Sequence, residues 1–326
     1  MAVNQEAQQA ETQALDLPKP EMPTLSRQFS NSARFFQRMS RALVSIALVL
    51  IGISTLASAV HSLIPHFLLL GYQVNYATAI AALFFLIASL IRLYRIIRRP
   101  ERAWFGSRVL AERTKSLVWS YAVAGAPFLR SGAPAEINEK YQQALNDAAS
   151  EAGQGGIRYH TPRKGQEIQV ITAWMREIRA KDLDERRGIY AKQRIRDQEN
   201  YYSTHEREYS RKAVIWQWVL YGIEFAGAIL AALTALAVIP LDMVGVVGTI
   251  AAGLAAWVQF NQFTELAGAY DAMAYRMAGY REECTDNATP WSEERWVKFV
   301  EKVEGALDEE HGAWRRIVKE GARDVS

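Results

Sequence analysis

Across two long stretches this sequence lacks charge. Residues 42–91 contain no Asp, Glu, Lys or Arg, and residues 213–264 contain only Glu224 and Asp242. An amphipathic helix of a soluble protein shows polar residues every third or fourth position. Between Val44 and Val60 only Ser, Thr and one Gly interrupt the apolar run. A helix needs about 20 apolar residues to cross a bilayer, so each stretch is long enough for two crossings, and Pro65 and Pro240 fall near their middles. The chain therefore reads as an all-α integral membrane protein. It has two transmembrane helical hairpins, four spans in all, and long cytoplasmic helices.

Cysteine is nearly absent too. Cys284 alone excludes an internal disulfide, and a covalent dimer through it does not suit a reducing compartment. The five histidines, His61, His66, His160, His205 and His311, stand singly. They offer neither the ligand spacing of a zinc site nor the partners of a catalytic triad. The glycine run at 153–156 lacks the Lys and Ser or Thr of a phosphate loop. Bases and acids nearly balance, 38 against 35, and interleave, as in Arg186 and Arg187 beside Asp184 and Glu185. Such patterns form solvated helix faces or salt-bridge networks, not phosphate tracks. No enzyme activity, cofactor, metal or nucleic-acid partner is expected.

The charges that are present orient the spans. Arg27, Arg34, Arg38 and Arg41 precede the first apolar block, Arg92, Arg95, Arg98, Arg99 and Arg102 follow it, and Arg207, Arg211 and Lys212 precede the second. The turns, 65–75 and 240–242, carry no Lys or Arg. The positive-inside rule then puts both termini and all charged segments in the cytoplasm and both turns outside. Trp216, Trp218, Tyr221 and Trp257 suit a headgroup layer. No cleavable signal peptide is expected ahead of the first block, which is its own insertion signal.

Along the chain, 1–26 is polar, rich in Gln, Ala, Glu and Pro, and expected to be a flexible tail. A first two-span domain follows at 27–130, with spans about 42–64 and 70–91, a kink at Pro100 and a cytoplasmic helix over 101–125. Loop signals at 131–134 and 153–156 mark 131–170 as a linker. A second two-span domain, 171–285, begins with a long or twice-bent helix that feeds straight into a span at about 216–239, followed by one at about 243–263. The C-terminal segment 286–326 is an amphipathic helix capped by Ser292. Its Trp296, Val300, Val303, Leu307, Glu310, Trp314 and Ile317 alternate spacings of four and three. Docking on the other cytoplasmic helices explains that seam more simply than an intermolecular coiled coil.

Glu224 is the one acid inside a span, and intramembrane carboxylates are costly enough to mark function by default. Counting from the turn, it lies level with Gln259 on the antiparallel partner, so a hydrogen bond from Gln259, or from Gln262 one turn out, is expected. Small residues recur at spacing four on the same two spans: Gly227, Ala231 and Ala235 on one, Gly245, Thr249 and Gly253 on the other. Such faces let helices approach closely in lipid, here most economically within the hairpin.

The string WFGSRVLAERTKSLVWSYAVAGAPF at 104–128 sets Trp104, Arg108, Glu112, Lys115 and Trp119 on one helical face, followed by Tyr121, Pro127 and Phe128. Arg108 and Glu112 have the spacing of an ion pair. The pattern resembles the SLATT family, bacterial two-span membrane domains associated with nucleotide-signalling sensors. The segment 171–202, with Arg194, Asp197 and Gln198, is similar to the lead-in of a second such domain, so the chain resembles two in tandem. The resemblance implies a pore-forming or membrane-perturbing effector of the bacterial inner membrane in a conflict or stress response. Its partners would be the lipid bilayer, further copies of itself as a homo-oligomer, and a separately encoded sensor of a nucleotide signal. No catalytic residues come with the family. The alternative is a non-conducting scaffold that presents cytoplasmic helices to a partner protein.

The orientation is testable with a membrane-impermeant maleimide on intact spheroplasts. A His61→Cys variant should label and a Ser131→Cys variant should not, and the reverse pattern would refute it.

Overall fold

The computed structural model describes residues 20–61, 64–69, 72–154, 169–236 and 243–321. Helix α1 covers Thr24–Ala59, and strands β1 (His66–Leu69) and β2 (Tyr72–Asn75) lead into α2 (Tyr76–Arg98). Helices α3 (Pro100–Ala122), α4 (Pro134–Gln154), α5 (Ala173–Ala180) and α6 (Leu183–Tyr190) follow. A π-helical turn, Ala191–Ile195, joins α6 to α7 (Arg196–Ala235). The chain continues through α8 (Val244–Asn261), α9 (Phe263–Thr285) and α10 (Glu293–Gly321). Four helical stretches are long and apolar enough to cross a membrane: α1, α2, the 53 continuous residues Leu183–Ala235, and Val244–Thr285.

The chain divides into two compact units. One is drawn from Met1–Arg34, Ala103–Thr204 and Ala269–Val318, the other from Phe35–Arg102, His205–Gly268 and Lys319–Ser326.

The second unit holds the spans. α2 begins at Tyr76, later than the expected start near 70, because an antiparallel hairpin pairing His66 with Asn75 and Leu69 with Tyr72 comes first. In β2, Tyr72 and Val74 alternate with Gln73 and Asn75, the period of a strand. Asn75 then caps α2, accepting from the amides of Ala77 and Thr78 while donating to the carbonyls of His61 and Ile64. α1 already ends at Ala59, short of the expected 64. α7 reaches Ala235, and the expected turn at Pro240 and Asp242 lies outside the described residues.

Each hairpin ends alike, in a single left-handed residue. Arg99 (φ 45°) follows α2 and Gln262 (φ 47°) follows α8, each amide donating back to the carbonyl four residues before, Arg95 and Val258. A left-handed non-glycine costs about 1–2 kcal/mol, and the returned hydrogen bond is the helix-ending motif that offsets it. Pro100, whose fixed φ suits a first helical position, restarts the chain after the first break. The kink expected at Pro100 is thus made one residue earlier.

The first unit is all helix among its described residues. Its core centres on Trp119, with Trp174 and Tyr190 edge-on at 5.0 and 5.8 Å and Trp296 edge-on to Tyr190 at 5.5 Å. The expected linker 131–170 contains α4, whose Ile137, Tyr141, Leu145 and Ala148 are all buried. Their spacings of four, four and three are helical, so the signal was present between the two loop markers. Gly153, expected to open a loop, lies within that helix, and 155–168 lie outside the described residues. The helix expected over 171–212 breaks at Lys181 and Asp182, where the Asp182 carboxylate caps α6 by accepting from Glu185 N–H. It then runs unbroken from Leu183 into the third span. In α10, Trp296, Val300, Val303 and Leu307 are buried within this chain, as docking requires, while the side chains of Glu310, Trp314 and Ile317 lie outside the described residues.

Close packing is tightest at Gly125. A methyl group there would sit 2.5 Å from Val300 Cγ1, so Gly125→Ala should cost about 1–3 kcal/mol and lower the melting temperature. Val300→Ala should restore most of the loss. No recovery in the double variant would contradict the contact.

Candidate functional site

Within the spans, side-chain polarity is turned inward along each helix. Ser45, Thr55, Thr234 and Thr249 donate to the carbonyls of Arg41, Ile51, Leu230 and Gly245, each four residues back in its own helix. Ser54 alone among the described span hydroxyls reaches across, donating at 2.8 Å to Ala81 O and tying α1 to α2. The two hairpins meet in this unit. Leu48 Cδ2 lies 3.9 Å from where a Cβ on Gly253 would sit, Arg41 donates to the Tyr209 hydroxyl, and Arg95 packs 5.6 Å above Phe260 while pairing with Glu101 at 2.7 Å.

Glu224 does not join this packing. Its side chain and that of Gln259 are exposed, and neither Gln259 nor Gln262 bonds to it. The expected contact fails for a geometric reason. The inward side of α7 carries half-buried Leu220, Ile223 and Gly227, and Glu224 lies about 60° round the helix from the middle of that side. Gln262 is half-buried and ends α8 as its left-handed cap.

Of the small residues, Gly227 does fit the hairpin, since a Cβ there would come within 3.1 Å of Val247. Ala231 is half-buried and Ala235 exposed. Among the described residues nothing lies within 4 Å of where a Cβ on Gly245 would sit, Thr249 bonds within its helix, and Gly253 faces α1. The stripe is thus not one interface: part serves the third and fourth spans, part the two hairpins.

The second constellation lies in the first unit, around 121–129. The carbonyls of this turn, which includes the cis Ala126–Pro127 peptide and the left-handed Ala124, are held by side chains far away in sequence. Arg179 donates to Tyr121 O and Phe128 O at 2.7 and 3.0 Å and to Leu129 O at 3.0 Å. Arg186, fully buried, and the Trp296 indole both donate to Val123 O, at 2.7 and 2.9 Å. Arg186 also pairs with Glu293. Burial lowers the Arg179 pKa, and the neighbouring Arg186 and Arg130 add to that.

Beside this turn, α10 is fixed by a buried ion pair. Arg194 donates from Nε and Nη2 to the Glu304 carboxylate at 3.0 and 2.7 Å, and the Tyr190 hydroxyl donates to the same carboxylate at 2.8 Å. Burial works against the Arg194 charge, but Glu304 outweighs it and raises the pKa. Burial, with Glu304 next to it, pushes the Tyr190 phenol well up. Cys284 nearby has its thiol pushed up to about 12 by burial, so it stays protonated.

Comparison with protein-family profiles matches residues 23–187 to "SMODS and SLOG-associating 2TM effector domain 3" and residues 190–314 to "SMODS and SLOG-associating 2TM effector domain 1". The chain belongs to the SLATT family. Two SLATT domains stand in tandem, as the sequence resemblance implies, and they make the chain a multi-pass membrane protein built of two-span effector domains. The first match runs on through α4 and α5 into α6. No curated protein and no solved structure matches the chain.

Within the first SLATT domain the motif residues sit mostly inside the core. Trp104, Trp119, Tyr121 and Phe128 are buried, and Pro127 forms the cis peptide. Glu112 pairs with Lys115 at 2.7 Å. Arg108 Nη2 reaches the Tyr201 hydroxyl at 3.4 Å. Its pKa is raised because Tyr201, Tyr270 and Glu112 outweigh the desolvation. Of the residues from the second resemblance, Arg194 is buried in its ion pair, whereas Asp197 is exposed and Gln198 half-buried. The apolar part of the motif face is therefore packed away. Of the residues that hold the turn after it, Trp296 heads the four-three seam, whereas Arg179 and Arg186 carry no local spacing that a sequence reading could use.

Glu304→Gln should leave the Arg194 cation buried without a counter-charge, a loss of about 3–5 kcal/mol seen as a lower melting temperature in detergent. Joint replacement, Arg194→Met with Glu304→Leu, should cost clearly less. A double variant as unstable as the single one would contradict the pairing.

Proposed function

We propose that this SLATT chain is an oligomeric effector of the bacterial inner membrane, its termini cytoplasmic, whose spans form an ion-conducting or membrane-perturbing pore. Motion of the cytoplasmic helices would open it, in a conflict or stress response triggered by a separately encoded nucleotide-signal sensor. No catalytic step is part of the proposal. Glu224 carries the reading: an exposed carboxylate on a span that finds no partner among the described residues is what an incomplete, multi-copy assembly leaves behind. The continuity of Leu183–Ala235 supports the coupling. That run includes Arg194 and continues into the third span.

A second reading, a non-conducting scaffold, draws on the self-satisfied hydroxyls of the spans, which give a single protomer no polar path. Ion flux from liposomes loaded with purified full-length protein separates the two. The pore reading expects flux that rises with protein density and changes several-fold in Glu224→Gln. Absence of flux under every trigger tried, including the nucleotide-signal sensor, would favour the scaffold.

A further inference from the structure

The outward side of α7 differs from that of α2. On α2 most exposed residues at the level of the bilayer are large and apolar, Ile80, Leu83, Phe85, Leu86 and Leu90 among them, with Ala82 and Ser89 between, and lipid chains cover such a face well. On α7 one line of the surface is small and polar: Gln217, Tyr221, Glu224, Ala228 and Ala235 are all exposed. At 100° per residue they fall within a band about 60° wide, with Tyr221 on one edge, Glu224 on the other and Ala228 near the centre. Trp218, Phe225 and Ile229 form a bulky ridge beside it, Trp218 and Phe225 being 71% and 70% exposed.

The polar groups of this line are directional. Gln217 Nε2 donates to the Tyr221 hydroxyl at 3.2 Å, so that oxygen is already an acceptor and its own proton is left to donate outward. Glu224 can only accept. Tyr221 lies three residues, about 4.5 Å of helix rise, to the cytoplasmic side of Glu224.

We infer that this line of α7 is the contact with a second copy of the chain, in which the Tyr221 hydroxyl of each copy donates to the Glu224 carboxylate of the other. The inference rests on the oligomer of the proposed function and names its interface. Two parallel α7 helices related by a two-fold axis through Ala228 place the Glu224 edge of each against the Tyr221 edge of the other. The two carboxylates then lie on opposite sides of the axis, apart from each other. The alanines at the centre let the backbones come close, which is how helices associate where lipid removes the hydrophobic drive. A carboxylate facing hydrocarbon gains far more from such a donor than an aliphatic side chain could.

Cysteine crosslinking of full-length protein in native membranes tests this. Ala228→Cys and Ala235→Cys are oxidised with copper phenanthroline beside Leu86→Cys on α2, with buried Cys284 left in place as the background. The expected result is a disulfide dimer several-fold stronger at 228 and 235 than at 86, weakened when Tyr221→Phe is added to Ala228→Cys. Crosslinking at 228 and 235 no stronger than at 86 would overturn the contact and leave Glu224 reaching for the headgroups instead. Undiminished crosslinking with Tyr221→Phe would overturn the hydrogen-bonded pairing. Liposome flux from the same preparations separates the two ideas. Flux without the 228 crosslink removes only this interface, and the crosslink without flux removes only the pore.

Discussion

Hydrocarbon offers no hydrogen bonds, and the whole membrane unit follows from that. Every backbone group of a span must be satisfied inside its own helix. The hydroxyls obey the same demand by bonding back four residues, as at Ser45, Thr55, Thr234 and Thr249. Where the helices must end, Asn75 and the left-handed Arg99 and Gln262 supply the missing partners. Among the described span residues, Glu224 is the acid that faces outward.

The first unit answers a different question, how a helical motif face can serve mostly as core. Trp104, Trp119, Tyr121 and Phe128 fill its core, and the carbonyls of the turn that follows are held by Arg179, Arg186 and Trp296. Buried ion pairs such as Arg194 with Glu304 add little net stability but make separation of their partners costly. α10 is therefore fixed in register by polar contacts as well as by Val300, Val303 and Leu307. The motif of the SLATT domain serves first as architecture, with any signalling role carried through the helices that it fixes.

The hairpins were legible because absence of charge over 40 or so residues is a local property that needs no knowledge of the fold. The long helical run into the third span was legible for the same reason, as a stretch without breakers. The β-hairpin before α2 and the helix α4 were written in the periodicity of Tyr72 to Asn75 and of Ile137 to Ala148, but competing turn signals masked them. Orientation about the helix axis was the real limit. Glu224 and Gln259 were matched by depth, and depth says nothing of which way a side chain faces. The grip of Arg179 and Arg186 on the 121–129 carbonyls joins positions more than 50 residues apart, beyond any spacing rule.

The central claim is that this protein is complete only as several copies. The mass of the full-length protein embedded in lipid nanodiscs, measured by native mass spectrometry at low protein density, tests it most directly. The account predicts an assembly of two or more copies that loses population in Glu224→Leu. A lone protomer in every disc, unchanged by that substitution, would contradict it.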